Sequence, residues 1–98
     1  MNEMTKLTDL KTFDIAEHLD SPQAIAEYLS LALEDDDPAF INVALSDVAR
    51  AKGMTEVARQ TGITREALYR ALTHDAKPRF DTIQKVCKAL GVKLVAVS

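Results

Sequence analysis

The chain has 98 residues, of which 28% are charged and 47% hydrophobic, and this composition is typical of one small globular domain. Its single cysteine excludes an intrachain disulfide, and two scattered histidines do not have the ligand spacing of a zinc site. There is no apolar run of roughly 18 residues and no signal-peptide pattern at the start, so we expect a soluble, cytoplasmic protein.

The formal net charge of −3 conceals opposite charges in the two halves of the chain. Residues 1–49 contain two lysines and eleven acids, a net charge of −9, whereas residues 50–98 contain ten Lys or Arg and four acids, a net charge of +6. A basic half favours a nucleic-acid surface. The acidic half suits either a protein partner or simple solvation.

The first half predicts an arm followed by helices. Residues 1–13 are weakly patterned and are expected to form an N-terminal arm or short strand, and a helical turn capped by Asp14 follows. Ser21 as N-cap and a proline after it predict a helix over about 22–34, with apolar residues at helical spacing.

A second helix with the same apolar stripe is predicted after Asp37, which can cap it, and Pro38 at its first position. It ends at Gly53, the residue type that most easily adopts the left-handed conformation at a helix C-terminus.

Residues 54–72 predict two short helices that meet at a three-residue turn. Thr55 is expected to cap the first helix, which closes at Gly62, and Thr64 to cap the second, over 65–72. Ala58 permits close helix packing, and Ile63 fills the core under the turn. This is the pattern of a helix-turn-helix.

The end of the chain predicts a loop, a helix and a strand. After the loop at 73–79, apolar residues with helical spacing predict a final helix over 79–90, stopped by Gly91. The valine-rich residues 92–97 predict a short strand, which requires a partner: the N-terminal arm or the same strand of a second subunit.

The second helix of the helix-turn-helix carries side chains suited to DNA. Arg65 can bind guanine bidentately, and Tyr69, four residues on, shares its face and can contact a phosphate or a thymine methyl group. Lys77 and Arg79, in the loop beyond, are placed for phosphates. The candidate DNA-binding residues are Thr55, Thr64, Arg65, Glu66, Tyr69, Arg70, Lys77 and Arg79.

The sequence TEVARQTGITREALYRAL, followed by KPRFDTIQKVCKALGVKL, resembles the Xre or lambda-repressor type of helix-turn-helix domain. Together with FDIAEHLDSPQAIAEYLSLALEDDDPAF it resembles, over about residues 12–96, the HigA-like addiction-module antidotes. This implies an all-α, five-helix lambda-repressor-like domain over residues 14–98, here with a short C-terminal β-strand.

The resemblance also implies a function: an antitoxin that represses its own toxin–antitoxin promoter as a homodimer and neutralises a HigB/RelE-like toxin. Two reading helices about 34 Å apart would then face an inverted repeat in double-stranded DNA. The chain departs from the repressor family at Glu56, where that family often has a glutamine that contacts phosphate. Because an acid repels phosphate, we do not expect Glu56 to make this contact.

The sequence gives little support for catalysis or for metal or cofactor binding. His18 and His74 have no neighbouring nucleophile, and Cys87 lies on an apolar stripe, so we expect no enzyme, metal or cofactor. The acidic run 34–37 lacks the pattern of a calcium loop and is better explained by capping and solvation. Two alternatives stay open: a prophage-type regulator without a toxin, and a protein-interaction module that acts through its acidic half.

Overall fold

The structure, a computed structural model, describes residues 14–98. A single 3-10 turn, Ile15–His18, precedes the helices. Within the described residues the fold contains five α-helices, which confirms the predicted helical class: α1 Pro22–Glu34, α2 Ala39–Lys52, α3 Met54–Thr61, α4 Arg65–Ala71 and α5 Phe80–Leu90. The predicted N-terminal arm, residues 1–13, lies outside the described part of the chain.

Short polar side chains begin several of these elements, as the sequence predicts. The Asp14 carboxylate accepts from the amide of Ala16, and the Ser21 hydroxyl accepts from the amide of Ala24 at the start of α1. At the start of α2 the Asp37 carboxylate accepts from the amide of Ala39, at 2.9 Å. These bonds satisfy amide groups that have no partner inside the helix.

Two predicted helix starts are wrong. The sequence predicts Asp37 as the N-cap of α2 and Pro38 as its first residue, but α2 begins at Ala39 with Pro38 as its N-cap, and this residue makes no side-chain capping bond. The sequence predicts that Thr55 caps a helix beginning at residue 56, but α3 already begins at Met54, with Gly53 as its N-cap and no side-chain capping bond. Gly53 has a φ of 110°, a backbone conformation that lets α2 end and α3 begin with one residue between them. Thr55 is therefore an exposed residue of the first turn of α3.

The predicted strand over residues 92–97 is also wrong, since the structure contains no strand among residues 14–98. A strand needs a neighbouring strand to bond to, and the described residues provide none. Instead the amide of Val92 donates to the carbonyl of Cys87 at 3.0 Å, which closes α5, and a tail without regular secondary structure follows. In that tail Val95 and Val97 are exposed.

A single core joins both halves of the chain, and α2 is its centre. This helix packs against α1, α3, α5 and the 3-10 turn, and α3 packs in turn against α4 and α5. The most deeply buried side chains come from four different helices: Leu45, Val48, Val57, Leu68 and Val86. The opposite charges of the two halves are thus carried on the surface of one folded unit.

Among the described residues, no helix combines the length and the apolar character that would be needed to cross a membrane.

Candidate nucleic-acid interface

The connection between α3 and α4 is tight and well fixed. Gly62 ends α3 in the left-handed conformation, with a φ of 74°. The next residue, Ile63, packs against the core, and its amide donates to the Thr61 hydroxyl at 3.2 Å. The Thr64 hydroxyl then accepts from the amide of Ala67 at 3.1 Å, which confirms the predicted N-cap of α4. The three-residue link therefore fixes the start of α4 relative to α3.

One side of α4 is anchored in the core, and the other faces solvent. Leu68 is fully buried and Leu72, which caps the C-terminal end, is only 2% exposed. The four residues predicted to face outward are all exposed on this short helix: Arg65, Glu66, Tyr69 and Arg70. The inward leucines thus fix the outward direction of every candidate DNA-binding side chain on α4.

Arg65 and Tyr69 form a pair on this exposed side. The guanidinium carbon of Arg65 lies 5.9 Å from the centroid of the Tyr69 ring, which is within the range of a cation–π contact. This contact confirms that the two residues share a face of α4. It restricts both side chains to one region of the surface, beside the capped N-terminus of the helix.

Three candidate cations have no carboxylate partner within the described chain. Arg65, Arg70 and Lys77 are exposed and form no ion pair with any of residues 14–98. Arg79 differs, because its Nε lies 3.4 Å from an Asp81 carboxylate oxygen. The positive charge of the first three is therefore available to an external anion, and that of Arg79 is partly offset.

The loop that carries Lys77 is attached to α2 by a residue that sequence analysis missed. Asn42 is 3% exposed, and its side-chain amide donates to the carbonyls of Thr73 at 3.1 Å and Ala76 at 2.7 Å. The sequence does place this polar residue next to the apolar stripe of α2. Since a buried amide must find hydrogen-bond partners, this position indicates a contact with another part of the chain.

Glu56 is held within its own helix. Its carboxylate pairs with the Arg59 guanidinium and accepts from Gln60 at 2.6 Å. The bonds from Arg59 and then Gln60 lower the pKa of Glu56 to about 2. Its charge is thus directed to a neighbouring arginine, and this reduces the repulsion that an acid at this position would exert on a phosphate.

A second polar network lies at the other end of α2 and holds the acidic half together. Arg50 binds Asp14 at 3.0 Å and Asp47 at 2.7 Å, and the Tyr28 hydroxyl donates to Asp47 at 2.5 Å. Burial, followed by the bond to Asp47, raises the pKa of Tyr28 to about 12. The bond from Arg50 lowers the pKa of Asp14. Arg50 thus joins the N-cap of the 3-10 turn to α2, and Asp47 joins α2 to Tyr28 of α1.

The other residues considered for catalysis or metal binding lie in surroundings that indicate structural roles. Cys87 is buried, as predicted, and burial raises the pKa of its thiol, which disfavours the reactive thiolate. His74 is exposed, and its Nδ1 lies 3.0 Å from a carboxylate oxygen of its neighbour Asp75. In the acidic run, Asp35 and Asp37 each accept a backbone amide two residues on, which fixes the link between α1 and α2.

Comparison with known proteins identifies the family. A model of the family described as "Probable addiction module antidote protein" matches residues 9–98, nearly the whole chain. The chain belongs to this family. A Haemophilus influenzae protein named "Uncharacterized protein" is 48% identical over 84 residues, which cover 86% of this chain and 87% of that protein. No solved structure matches the chain. Membership of an antidote family implies a toxin as partner.

Proposed function

We propose that this antidote binds DNA by placing α4 in the major groove, and that it represses its own toxin–antitoxin promoter. The observation that carries the proposal is the arrangement of α4. Its N-terminus is capped, its inner side is fixed by Leu68 and Leu72, and its outer side presents two arginines and a tyrosine. The N-terminal residues of a helix held in this way at a tight turn can reach base edges.

The roles of the candidate residues follow from their positions. Arg65 and Tyr69 lie together on the first turns of α4 and form the proposed base-reading pair. Arg70 projects about 140° away from Arg65 and cannot address the same base pair, so we assign it to the backbone. Lys77 and Arg79 are assigned to phosphates as well. Thr55, Thr64 and Glu66 lie at or near the starts of the two helices, where contacts to the DNA backbone are expected.

The active form on DNA is proposed to be a two-fold dimer. One helix of seven residues contacts few bases, and a chain with a net charge of −3 gains little from non-specific attraction. Two copies would place their α4 helices about 34 Å apart, facing an inverted repeat. This proposal does not depend on the strand that the structure lacks.

The toxin is proposed to be of the HigB/RelE type and to bind the acidic half. Between residues 14 and 49 there are nine carboxylates and no Lys or Arg. Only Asp14 and Asp47 among the nine form an ion pair within the described chain, with Arg50. The other seven leave a surface that is complementary to a basic protein.

The proposal is tested by titrating the full chain with the DNA directly upstream of its gene and with a scrambled duplex, at several salt concentrations. We expect tighter binding to the upstream duplex, two chains per inverted repeat, and repression of a reporter that carries this DNA. Equal, weak binding to both duplexes would contradict the proposal. It would favour the alternative of an interaction module that acts through its acidic half.

The identity of the neighbouring gene distinguishes an antidote from a prophage-type regulator without a toxin. We expect the neighbouring gene to encode a small basic protein that copurifies with this chain and is inactive in the complex. A chain that represses its promoter but has no such neighbour would be a plain regulator.

A further inference from the structure

Asn42 is a buried polar residue whose bonds join the two halves of the protein. It lies in the first turn of α2, in the acidic half, and is 3% exposed. Burying an amide is costly unless its donors find partners. Both of its partners lie far away in sequence, in the loop between α4 and α5.

The two bonds fix a defined turn. The Asn42 Nδ2 donates to the carbonyl of Thr73, 31 residues on, and to that of Ala76, 34 residues on, at 3.1 and 2.7 Å. The amide of Ala76 donates to the same Thr73 carbonyl at 3.1 Å, so residues 73–76 form a closed turn. Both N–H groups of the side-chain amide are therefore used.

The remaining bonds described for this turn are local. The Thr73 hydroxyl donates to the carbonyl of Arg70, and His74 pairs with Asp75. Neither bond connects the turn to α2. The Asn42 amide thus supplies the polar attachment between the turn and the helix that packs at the centre of the fold.

From this geometry we infer that Asn42 is a positioning residue for DNA binding, which sets the loop so that Lys77 meets a phosphate beside α4. The inference rests on the function proposed above. Lys77 directly follows Ala76, the residue held by the shorter of the two bonds. A loop released from α2 would leave Lys77 on a mobile segment, and ordering that segment on DNA would cost binding free energy.

The most informative substitution is Asn42→Asp, because it keeps the size of the side chain and removes both donors. An ionised carboxylate would place an oxygen against two carbonyl oxygens, so the loop should detach from α2. The matched control is Ser46→Ala, one turn further along α2, at a half-buried residue with no hydrogen bond to the loop.

The test is a double-mutant cycle of Asn42→Asp with Lys77→Ala, read as affinity for the upstream and scrambled duplexes over a range of salt concentrations. We expect Asn42→Asp to weaken binding to both duplexes by a similar factor, and to reduce the salt slope by about one unit, as the loss of one phosphate contact does. Adding Lys77→Ala should then cause little further loss. Ser46→Ala should bind like the unchanged chain.

Wild-type affinity and salt slope in Asn42→Asp would overturn the inference, as would losses that simply add to those of Lys77→Ala. Failure of the unchanged chain to bind either duplex is a different result, which rejects the proposed function itself. Should Asn42→Asp fail to fold, Asn42→Gln replaces it, since this variant keeps both donors on a side chain one methylene longer. We expect the same pattern with a smaller loss, and unchanged binding would again overturn the inference.

Discussion

The acidic half, residues 14–49, and the basic half, residues 50–98, use the same kind of amphipathic helix but treat their charges differently. In the acidic half two of nine carboxylates pair with Arg50, which joins α2 to the 3-10 turn, and one of them also accepts from Tyr28 of α1. In the basic half Arg59 and Arg79 pair with nearby carboxylates, while Arg65, Arg70 and Lys77 form no ion pair with any of the described residues.

The contrast between paired and unpaired charges indicates which surfaces are available to an external partner. The paired charges connect neighbouring elements, and the exposed ion pairs among them contribute little stability. Charges that are left exposed on a rigid helix contribute to solubility and to binding instead. The two halves therefore carry surfaces of opposite sign, although they share one hydrophobic core.

The largest effect is expected for a core substitution, Leu68→Ala, which tests whether the two halves unfold as one unit. Leu68, in the basic half, is fully buried in the same core as Leu45 of the acidic half. Leu68→Ala should lower the free energy of unfolding by about 2–5 kcal/mol. Urea unfolding followed by circular dichroism should keep a single transition.

The control for this variant is Leu31→Ala, since Leu31 is 67% exposed and its loss should change stability by no more than about 0.5 kcal/mol. Two separate transitions, with α1 and α2 surviving the loss of α4, would show that the halves fold independently.

The next effect sharpens the role of α4. Arg65→Ala should cost about 1–3 kcal/mol of binding free energy on the upstream duplex and much less on a scrambled one, because a base contact carries sequence information. Fluorescence anisotropy with both duplexes measures this difference. Lys93→Ala is the control, since Lys93 is an exposed cation in the tail beyond α5, beside α1. An equal loss on both duplexes would assign Arg65 to the phosphates.

A smaller effect is expected for Lys77→Ala. This lysine has no ion pair among residues 14–98 and is assigned to a phosphate, so its loss should weaken all sequences alike. The slope of log affinity against log salt should fall by about one unit. The assignment fails if the variant changes the preference between the two duplexes instead.

The smallest expected effect concerns pH and stability. The folded protein lowers the pKa of Glu56 from 4.5 to about 2, mainly through Arg59. The unfolded chain therefore binds a proton more readily, and the stabilisation is complete above pH 4.5 and is lost as the pH falls towards 2.

The midpoint temperature of unfolding should fall as the pH decreases from 4.5 towards 2. In Glu56→Gln this decrease should be smaller. The matched control is Glu66→Gln, which removes an exposed glutamate of α4 that has no ion pair in the described chain. A Glu56→Gln profile parallel to that of the unchanged chain would show that the ion pair has no effect on stability.

Local rules were sufficient to predict most of the fold. The bounds of α1 were predicted from Ser21, Pro22 and the apolar period, and the end of α3 from Gly62, because capping and left-handed backbone depend on neighbouring residues. The start of α3 was missed because Gly53 can both end one helix and begin the next. The strand was missed because pairing depends on a distant partner, which valine content does not predict.

For the candidate site, the sequence predicted which side chains of α4 face solvent. The outward direction of α4 follows from the spacing of its two leucines, and the exposure of Arg65 and Tyr69 agrees with it. The bonds from Asn42 to the loop join residues more than 30 positions apart, and only tertiary structure brings them together. The same holds for the bridge from Arg50 to Asp14.

DNA is proposed to bind α4 and the loop that follows it, and not the acidic half. The backbone amide signals of the isotope-labelled chain, followed by NMR while the upstream duplex is added, show which residues the DNA contacts. We predict that the largest shifts fall within residues 63–79, and that those of α1, residues 22–34, stay nearly constant. Shifts concentrated in α1 and α2, with α4 unaffected, would contradict it.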